Sequence, residues 1–115
     1  MYHIIYYVEN NKSPVIEFIQ NQNPKEQAKI LREIDLLEEF GLFLGMPHIR
    51  KMNSTKKIWE LRIKHSSNIF RIFFFTIKDG KFVLLHGLRK KSNKTPKKEL
   101  NIALKRMLNY IERGE

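Results

Sequence analysis

The chain has 115 residues, no cysteine and a net charge of +10, which excludes disulfide bonds and zinc sites built on thiolates. It contains no apolar run near the roughly 20 residues that a membrane-spanning helix needs, and its first residues lack the features of a signal peptide. We therefore expect one soluble, cytoplasmic domain over residues 1–115, with no membrane partner.

The charge is divided unevenly along the chain. Residues 1–46 hold seven acidic and four basic side chains, and residues 47–115 hold five acidic and eighteen basic ones, so the two parts carry −3 and +13. A basic surface that meets only water is one interpretation. The other is a partner with dense negative charge. Nucleic acid is favoured over a membrane surface because no strongly basic amphipathic helix stands out.

The first half of the chain predicts one strand, two helices and a loop. Residues 1–8 are rich in aromatic and β-branched side chains, which is typical of a strand. Ser13 and Asn23 are each followed by proline, the pattern of an N-cap with proline at the first helical position, and Glu26 completes a capping box. The predicted elements are a strand at 1–8, helices at 14–21 and 24–40, and a loop at 41–56 that begins with the C-cap glycine Gly41.

Both predicted helices have an apolar side at helical spacing. These sides consist of Val15, Ile16, Phe18 and Ile19 in the first helix and of Ile30, Leu31, Ile34 and Leu37 in the second. Three acidic residues of the second helix, Glu33, Glu38 and Glu39, are expected to face water.

The second half predicts three strands and one helix. The strands are residues 57–64, 68–78 and 81–88, and Asp79-Gly80 is a strong signal for a two-residue hairpin. Thr95-Pro96 opens the last helix, whose apolar stripe is Leu100, Ala103, Leu104, Met107, Leu108 and Ile111. The order β-α-α-β-β-β-α predicts an α+β fold with a mainly antiparallel four-stranded sheet and helices gathered on one side.

The predicted turns set a register in which two arginines face each other. A two-residue loop at Asp79-Gly80 and a four-residue loop at 65–68 pair Arg71 with Arg62 on one side and with Leu88 on the other. The face that meets the helices then consists of Trp59, Leu61, Ile63, Phe70, Ile72, Phe74, Val83 and Leu85. The other face consists of Glu60, Arg62, Lys64, Arg71, Phe73, Phe75, Leu84 and His86.

Arg62 opposite Arg71 is the unusual feature of this second face. Like charges across a sheet are destabilising by up to about 1 kcal/mol. A salt bridge from Glu60 is one way to offset the repulsion, and an anion bound between the guanidinium groups is another. We expect both arginines on the sheet face away from the helices, within reach of one phosphate.

A second group of cations follows the last predicted strand. It lies at the same end of the sheet as Leu88, so we expect a cationic site suited to phosphate there. Its members are Arg89, Lys90, Lys91 and Lys94, with Lys97 and Lys98 on the outer surface of the following helix.

Four runs of the sequence together resemble a known family. They are IWELR at 58–62, RIFF at 71–74, LLHGLRKK at 84–91 and KTPKKE at 94–99. The combination is similar to the phage-derived, HigB-type branch of the RelE toxin superfamily, over nearly the whole chain. This resemblance implies the RelE-like microbial ribonuclease fold and the toxin of a type II toxin–antitoxin pair.

The resemblance also implies what the protein acts on and binds. Such toxins are small ribonucleases that cut mRNA, usually in the decoding site of a translating ribosome. They are neutralised by a HigA-like helix-turn-helix antitoxin encoded beside them. Operator DNA is then bound only through the toxin–antitoxin complex.

Arg62, Arg71 and Lys90 or Lys91 match the places of the family's catalytic arginines and lysines. RNA cleavage without a metal needs a base, an acid and cations on the phosphorane. Arginine forks suit the last role, and a lysine among other cations has its pKa lowered. We therefore expect Lys90, Lys91 or Lys94 to act as base or acid. His86 is a further candidate, or else a polar filler on the open sheet face.

Other exposed cations are expected to bind RNA, and these are Lys51, Lys57, Lys64, Arg89, Lys97 and Lys98. Phe73 and Phe75 either stack a base or belong to the core or a partner interface. The histidine spacing predicts no metal site, and we expect no cofactor.

Two other functions are consistent with these residues. One is a non-catalytic toxin of the same superfamily that binds a protein target such as gyrase through the cationic loop. The other is a plain RNA- or DNA-binding module, although no recognition-helix pattern supports sequence-specific DNA binding alone.

Overall fold

The fold contains the predicted helices and strands and one further strand. The computed structural model describes residues 2–53, 55, 57–90 and 96–114. Within these ranges no helix combines the length and apolar character that crossing a membrane requires. The elements are β1 (His3–Tyr6), α1 (Pro14–Gln20), α2 (Pro24–Phe40), a 3₁₀ turn (Gly41–Leu44), β2 (Ile49–Lys51), β3 (Trp59–His65), β4 (Asn68–Ile77), β5 (Lys81–Lys90) and α3 (Lys97–Glu112).

The first two helices begin at the predicted caps. The Ser13 hydroxyl accepts a hydrogen bond from the Ile16 N–H at 3.2 Å. The Asn23 side chain accepts one from the Glu26 N–H at 2.8 Å, and the Glu26 carboxylate accepts one from the Asn23 N–H at 3.2 Å. These bonds satisfy N–H groups that a helix start leaves without a partner, so the local sequence alone specifies both start points. Helix α3 begins at Lys97, and Thr95 lies outside the described residues.

The sheet has five strands in the order β1-β5-β4-β3-β2. Strand β1 is parallel to β5, and the other pairings among the described residues are antiparallel. The prediction of a mainly antiparallel sheet is therefore confirmed, and the prediction of four strands is wrong. The extra strand, β2, lies in the segment predicted to be a loop. Its three residues are too few to show alternation, and pairing with β3 is what makes them extended.

The helices lie on both faces of the sheet, which corrects the prediction that they gather on one side. Helices α1 and α2 pack on one face, where the core consists of Val15, Ile19, Ile30, Ile34, Leu37, Ile49, Leu61, Ile63, Phe70, Ile72, Phe74, Phe82 and Leu84. Helix α3 packs on the other, where the core includes Tyr7, Ile58, Phe73, Phe75, Val83, Leu85, Leu88, Leu100, Ala103, Met107 and Tyr110. Because β4 and β5 are apolar on both sides, each face needs a cover.

The β4–β5 hairpin differs from its prediction at the loop but agrees with it at the far end. The loop has three residues, 78–80, because Ile77 pairs with Lys81. A β-bulge between Phe73 and Phe74 then shifts the register by one residue. The two differences cancel, so Arg71 pairs with Leu88 as predicted.

The same shift exchanges the faces of three β5 residues relative to the prediction. Val83 and Leu85 belong to the core under α3, and Leu84 belongs to the core under α1 and α2. The β3–β4 register agrees with the prediction along its whole length, from Trp59–Phe74 to His65–Asn68. Its turn is tighter than predicted, because His65 and Asn68 are themselves paired.

The buried stripe of α3 is rotated from the predicted one. Leu100, Ala103 and Met107 are buried as expected, but Leu108 is 56% exposed and Ile111 48% exposed. Tyr110 completes the buried side, with its ring 5.8 Å from that of Phe75 in an edge-to-face contact.

Two neighbouring substitutions on α3 test which side of the helix is buried. Met107→Ala should lower the free energy of unfolding by about 2–5 kcal/mol, because it opens a cavity between α3 and the sheet. Leu108→Ala should change it by about 0.5 kcal/mol or less, as is typical of an exposed position. Urea denaturation of the two variants measures both values. Equal losses would contradict the assigned orientation of α3.

Candidate active site

A buried ion pair lies at the centre of the candidate site. Arg62 and Arg71 face each other across β3 and β4, as the register predicted. Arg71 Nη1 donates a hydrogen bond of 2.7 Å to Glu60 Oε2. Arg71 is 4% exposed and Glu60 1% exposed. Glu60 therefore offsets the charge of Arg71, which confirms one of the two arrangements considered for these like charges.

The remaining positive charge of this cluster lies nearer the surface. Arg50 Nη2 lies 3.7 Å from Glu60 Oε1, and its side chain is 49% exposed. Arg62 is partly exposed. The Glu60 carboxylate is thus shared by the guanidinium groups of Arg50 and Arg71, and Arg62 adds a further positive charge that is available to an anion.

Both arginines were expected on the sheet face away from the helices, and for Arg71 that expectation is wrong. Arg71 lies on the same side of β4 as Phe73 and Phe75, and α3 covers this side. Phe73 is fully buried and Phe75 4% exposed, so the hypothesis that they stack a nucleotide base is also wrong. The aromatic pair forms the floor of the α3 core because the second apolar face of β4 must be covered.

Lys90 is the fourth cation of the cluster. Burial, followed by the positive charge of Arg71, lowers the pKa of Lys90 to about 8, and Glu60 acts in the opposite direction. Arg50 and Arg62 lower it further. Lys90 is 7% exposed. A lysine with such a pKa is neutral in roughly one molecule in ten at pH 7, so it can take up or release a proton.

The other predicted lysines of this loop, Lys91 and Lys94, lie outside the described residues. Arg89 points away from the cluster, because successive residues of a strand alternate between faces. Its Nη2 donates a 2.8 Å hydrogen bond to Glu26 Oε2, and its guanidinium lies 5.2 Å from the centre of the Phe70 ring. Arg89 therefore ties β5 to the start of α2.

Beside Arg62, a cleft of about 360 Å³ contains a histidine held by a carboxylate. Its lining consists of Lys29, Glu33, Pro47, His48, Arg62 and Lys64. His48 Nδ1 lies 3.1 Å from Glu33 Oε2, and the Arg62 N–H donates a 2.7 Å hydrogen bond to the His48 carbonyl oxygen. The carboxylate keeps the proton on Nδ1, which leaves Nε2 as the basic ring nitrogen.

The sequence analysis missed Glu33 and His48. Glu33 was expected to face water but is 6% exposed. The sequence did contain a signal that Glu33 is buried. Glu33 stands at position i+3 of the i, i+3, i+4, i+7 pattern that begins at Ile30 and ends at Leu37 on the buried side of α2. His48 had no such signal, since it lies in the segment that was predicted to be a loop.

His86 is held under α3, and the structure does not bring it into the arginine cluster. In the register Phe73 lies between Glu60 and His86. Arg106 Nη1 donates to His86 Nδ1 at 3.0 Å, and His86 Nε2 lies 3.4 Å from Glu99 Oε2. Burial lowers the pKa of His86, and Glu99 opposes that effect. These contacts join β5 to α3, so the structure favours the interpretation of His86 as a polar residue that fills space.

The predicted RNA-binding lysines lie at different places on the structure. Lys64 lines the cleft beside Arg62, and Lys97 and Lys98 are exposed in the first turn of α3. Lys51 and Lys57 line a separate groove near Trp59, which is at the opposite end of the β3–β4 ladder. Within the described ranges, no three His, Asp or Glu side chains are grouped so that they could hold a metal ion.

A comparison with protein families gives the context of this site. The model of the family described as phage-derived protein Gp49-like (DUF891) matches residues 17–108. The chain belongs to this family. The Gp49-like family is a RelE/HigB-like family associated with the toxins of toxin–antitoxin systems. No curated protein matches the chain.

The match covers every described residue of the arginine cluster and of the cleft. It begins within α1 and ends within α3, so β1 lies outside it. Membership in the Gp49-like family agrees with the resemblance to RelE-type toxins that the sequence analysis described. It does not by itself assign the chain to the HigB branch.

Glu60→Ala tests the buried ion pair. It should lower the free energy of unfolding by about 3–5 kcal/mol, because Arg71 would keep a buried charge without its carboxylate. Arg50→Ala, at the exposed end of the same cluster, should cost about 1 kcal/mol or less. Chemical denaturation measures both. A loss below 1 kcal/mol for Glu60→Ala would show that Arg71 does not depend on this partner.

The pKa of Lys90 predicts a pH dependence of stability. Between about pH 8 and the ordinary lysine value of 10.5, the unfolded chain still binds the proton that folded Lys90 has lost. The free energy of unfolding should therefore rise with pH across this window. Lys90→Met should remove this part of the rise and stabilise the protein near pH 7. Denaturation at several pH values measures this dependence. Lys81→Met, which replaces an exposed lysine, is the control and should leave the slope of the free energy of unfolding against pH unchanged.

Proposed function

We propose that this protein is a HigB-type toxin of a type II toxin–antitoxin system and a metal-independent endoribonuclease that cuts mRNA on the ribosome. Membership in the Gp49-like family supports the toxin assignment. The arrangement of Arg62, Arg71 and Lys90 around buried Glu60 supports the ribonuclease assignment. That arrangement is the observation that carries the proposal, because it combines a fixed guanidinium, an accessible one and a lysine whose pKa is about 8.

The cations would stabilise the charge that develops on phosphorus. In the reaction the 2′-oxygen forms a bond to phosphorus and the bond to the 5′-oxygen breaks, which leaves a 2′,3′-cyclic phosphate and a 5′-hydroxyl. Arg62 is accessible and would bind the phosphate oxygens directly. Arg71, fixed by Glu60, adds a positive charge that does not need to reorganise as the phosphorane forms.

Two groups near Arg62 would move the protons. His48, with Nδ1 held by Glu33, presents Nε2 as a base or, when protonated, as an acid. Lys90 has a pKa near the working pH and would serve as the second group. One of them would take the proton of the 2′-hydroxyl, and the other would give a proton to the leaving 5′-oxygen.

The ribosome would orient the message for this reaction. Lys64, Lys97 and Lys98 are exposed cations suited to ribosomal RNA or to the mRNA backbone. A HigA-like helix-turn-helix antitoxin would keep the toxin inactive, and the pair would bind operator DNA through the antitoxin. The protein would act in the cytoplasm, where its substrate is translated.

Cleavage of a defined mRNA by the purified protein, with and without ribosomes, tests this function. We expect 2′,3′-cyclic phosphate ends when ribosomes are present and little cutting of naked RNA. Arg62→Ala should lower the cleavage rate about 10²–10³-fold while the melting temperature changes little, since Arg62 is not the buried partner of Glu60. Lys81→Ala is the matched control, because it removes a cation that is exposed at the start of β5, and should leave the rate unchanged.

Three results would contradict the proposal. Rapid cutting of naked RNA would remove the role of the ribosome. A folded Arg62→Ala protein with full activity would remove the assigned phosphate contact. Tight RNA binding or inhibition of gyrase without cleavage would instead favour one of the non-catalytic alternatives.

A further inference from the structure

Lys90 is a buried cation at the end of β5, inside the arginine cluster. In the register Lys90 pairs with Ile69 and Arg71 pairs with Leu88, so the Lys90 and Arg71 side chains are diagonal neighbours on one face of the sheet. Lys90 is 7% exposed and Arg71 4% exposed. Two basic side chains are thus held near each other with little access to water.

The surroundings of Lys90 contain more positive than negative charge. The charged groups that act on it are the guanidinium groups of Arg71, Arg50 and Arg62 and one carboxylate, that of Glu60. This carboxylate is hydrogen-bonded to Arg71 and lies 3.7 Å from Arg50. A second negative charge beside Lys90 is therefore attracted by the guanidinium groups, whereas a positive charge there is repelled.

These surroundings favour the neutral form of the Lys90 amine. Burial penalises the ammonium group and the neighbouring guanidinium groups repel it, which together lower the pKa of Lys90 to about 8. Only the neutral amine has the lone pair that attacks an electrophilic carbon. An ordinary exposed lysine keeps this lone pair protonated at neutral pH.

The burial of Lys90 also selects the electrophile. A side chain that is 7% exposed is poorly accessible to a large acyl donor, and a charged reagent loses its hydration on the way to it. Carbon dioxide is small, uncharged and electrophilic at carbon. Its product with an amine is a carbamate, an anion with two oxygens of the kind that guanidinium groups bind.

We propose that Lys90 is a site of reversible carbamylation by carbon dioxide. The Lys90 nitrogen forms a bond to the carbon, the electron pair of one C=O π bond moves to oxygen, and the nitrogen releases a proton to water. The side chain thereby becomes an anion among Arg50, Arg62 and Arg71. Loss of carbon dioxide by the reverse steps restores the amine.

The carbamate also suppresses the activity, a step that rests on the proposed function. A carbamate nitrogen has no basic lone pair, so Lys90 no longer takes up or releases a proton during RNA cleavage. The negative charge of the carbamate also offsets the cations that stabilise the phosphorane. Carbon dioxide therefore lowers the cleavage rate for as long as Lys90 is modified.

Carbon-13 NMR of the protein in labelled bicarbonate tests the modification without any RNA. At a pH near the pKa of Lys90 we expect a carbamate signal besides that of the N-terminal amine. Trapping with triethyloxonium, followed by peptide mass spectrometry, should place it on Lys90. Lys90→Arg keeps the positive charge but cannot form this carbamate, so the signal should disappear. Lys81→Arg, at an exposed lysine, is the matched control and should leave the signal unchanged.

A variant of the surroundings tests the cause of the modification. Arg62→Ala removes one of the guanidinium groups that act on Lys90 and should lower the carbamylated fraction about twofold or more at equal bicarbonate. A fraction that Arg62→Ala leaves unchanged would contradict the role of the cluster. The absence of label on Lys90 at tens of millimolar bicarbonate, or equal label on exposed lysines, would overturn the proposal.

Cleavage assays separate this inference from the proposed function. When bicarbonate replaces chloride at equal ionic strength, the ribosome-dependent cleavage rate of the unaltered protein should fall in proportion to the carbamylated fraction and recover when carbon dioxide is removed. A constant rate while Lys90 is carbamylated would overturn the inhibitory step. Failure of the proposed function would appear as no cleavage in either buffer, whereas the NMR measurement would still report on Lys90.

Discussion

The ion pair between Arg71 and Glu60 is the interaction on which the candidate site depends. Loss of either partner would leave the other with a buried charge that is less well compensated. Because the two groups come from adjacent strands and lie 2.7 Å apart, the sheet itself holds the guanidinium in place. Its positive charge contributes to the low pKa of Lys90 and lies opposite Arg62 in the register. This one contact thus fixes the geometry of the cluster, while burial is the largest cause of the low pKa of Lys90.

The position of α3 explains why this contact is buried at all. Helix α3 covers the face of the sheet that carries Arg71, and its apolar side packs over Phe73 and Phe75. Arg106 of α3 contacts His86 and Glu9 at 3.0 and 3.2 Å, and these contacts help to hold the helix on this face of the sheet. The second core and the charged cluster therefore share one face, and the burial that stabilises the core also desolvates the nearby cations.

The chemistry of the β3–β4 ladder changes along its length. The cations of the cluster gather around the Arg62–Arg71 pair, which is the middle one of the pairs from Trp59–Phe74 to His65–Asn68. Near its Trp59 end, Leu42 and Ile111 line a groove together with Lys51 and Lys57. The cationic cluster and the groove therefore lie side by side on one small sheet, since Arg50 of the cluster is adjacent to Lys51 of the groove.

Much of the fold was determined by the sequence alone, and the reason in each case is a local interaction. The caps at Ser13 and Asn23 act over three residues, and the β3–β4 register follows from a short turn, so the pairing of Arg62 with Arg71 was predictable. The family resemblance also rests on short runs around these residues. Sequence alone therefore identified four members of the described cluster: Arg62, Arg71, Lys90 and the carboxylate partner Glu60.

What only the tertiary structure decided depends on contacts between distant parts of the chain. Strand β2 is extended because it pairs with β3, and the bulge in the β4–β5 hairpin is a feature of the pairing of these two strands. The side of the sheet that α3 covers is not encoded in its apolar stripe, since either apolar face of β4 would accept it. For the same reason the meeting of Glu33 with His48, fifteen residues apart on different elements, could be found only once the helix and the sheet were placed together.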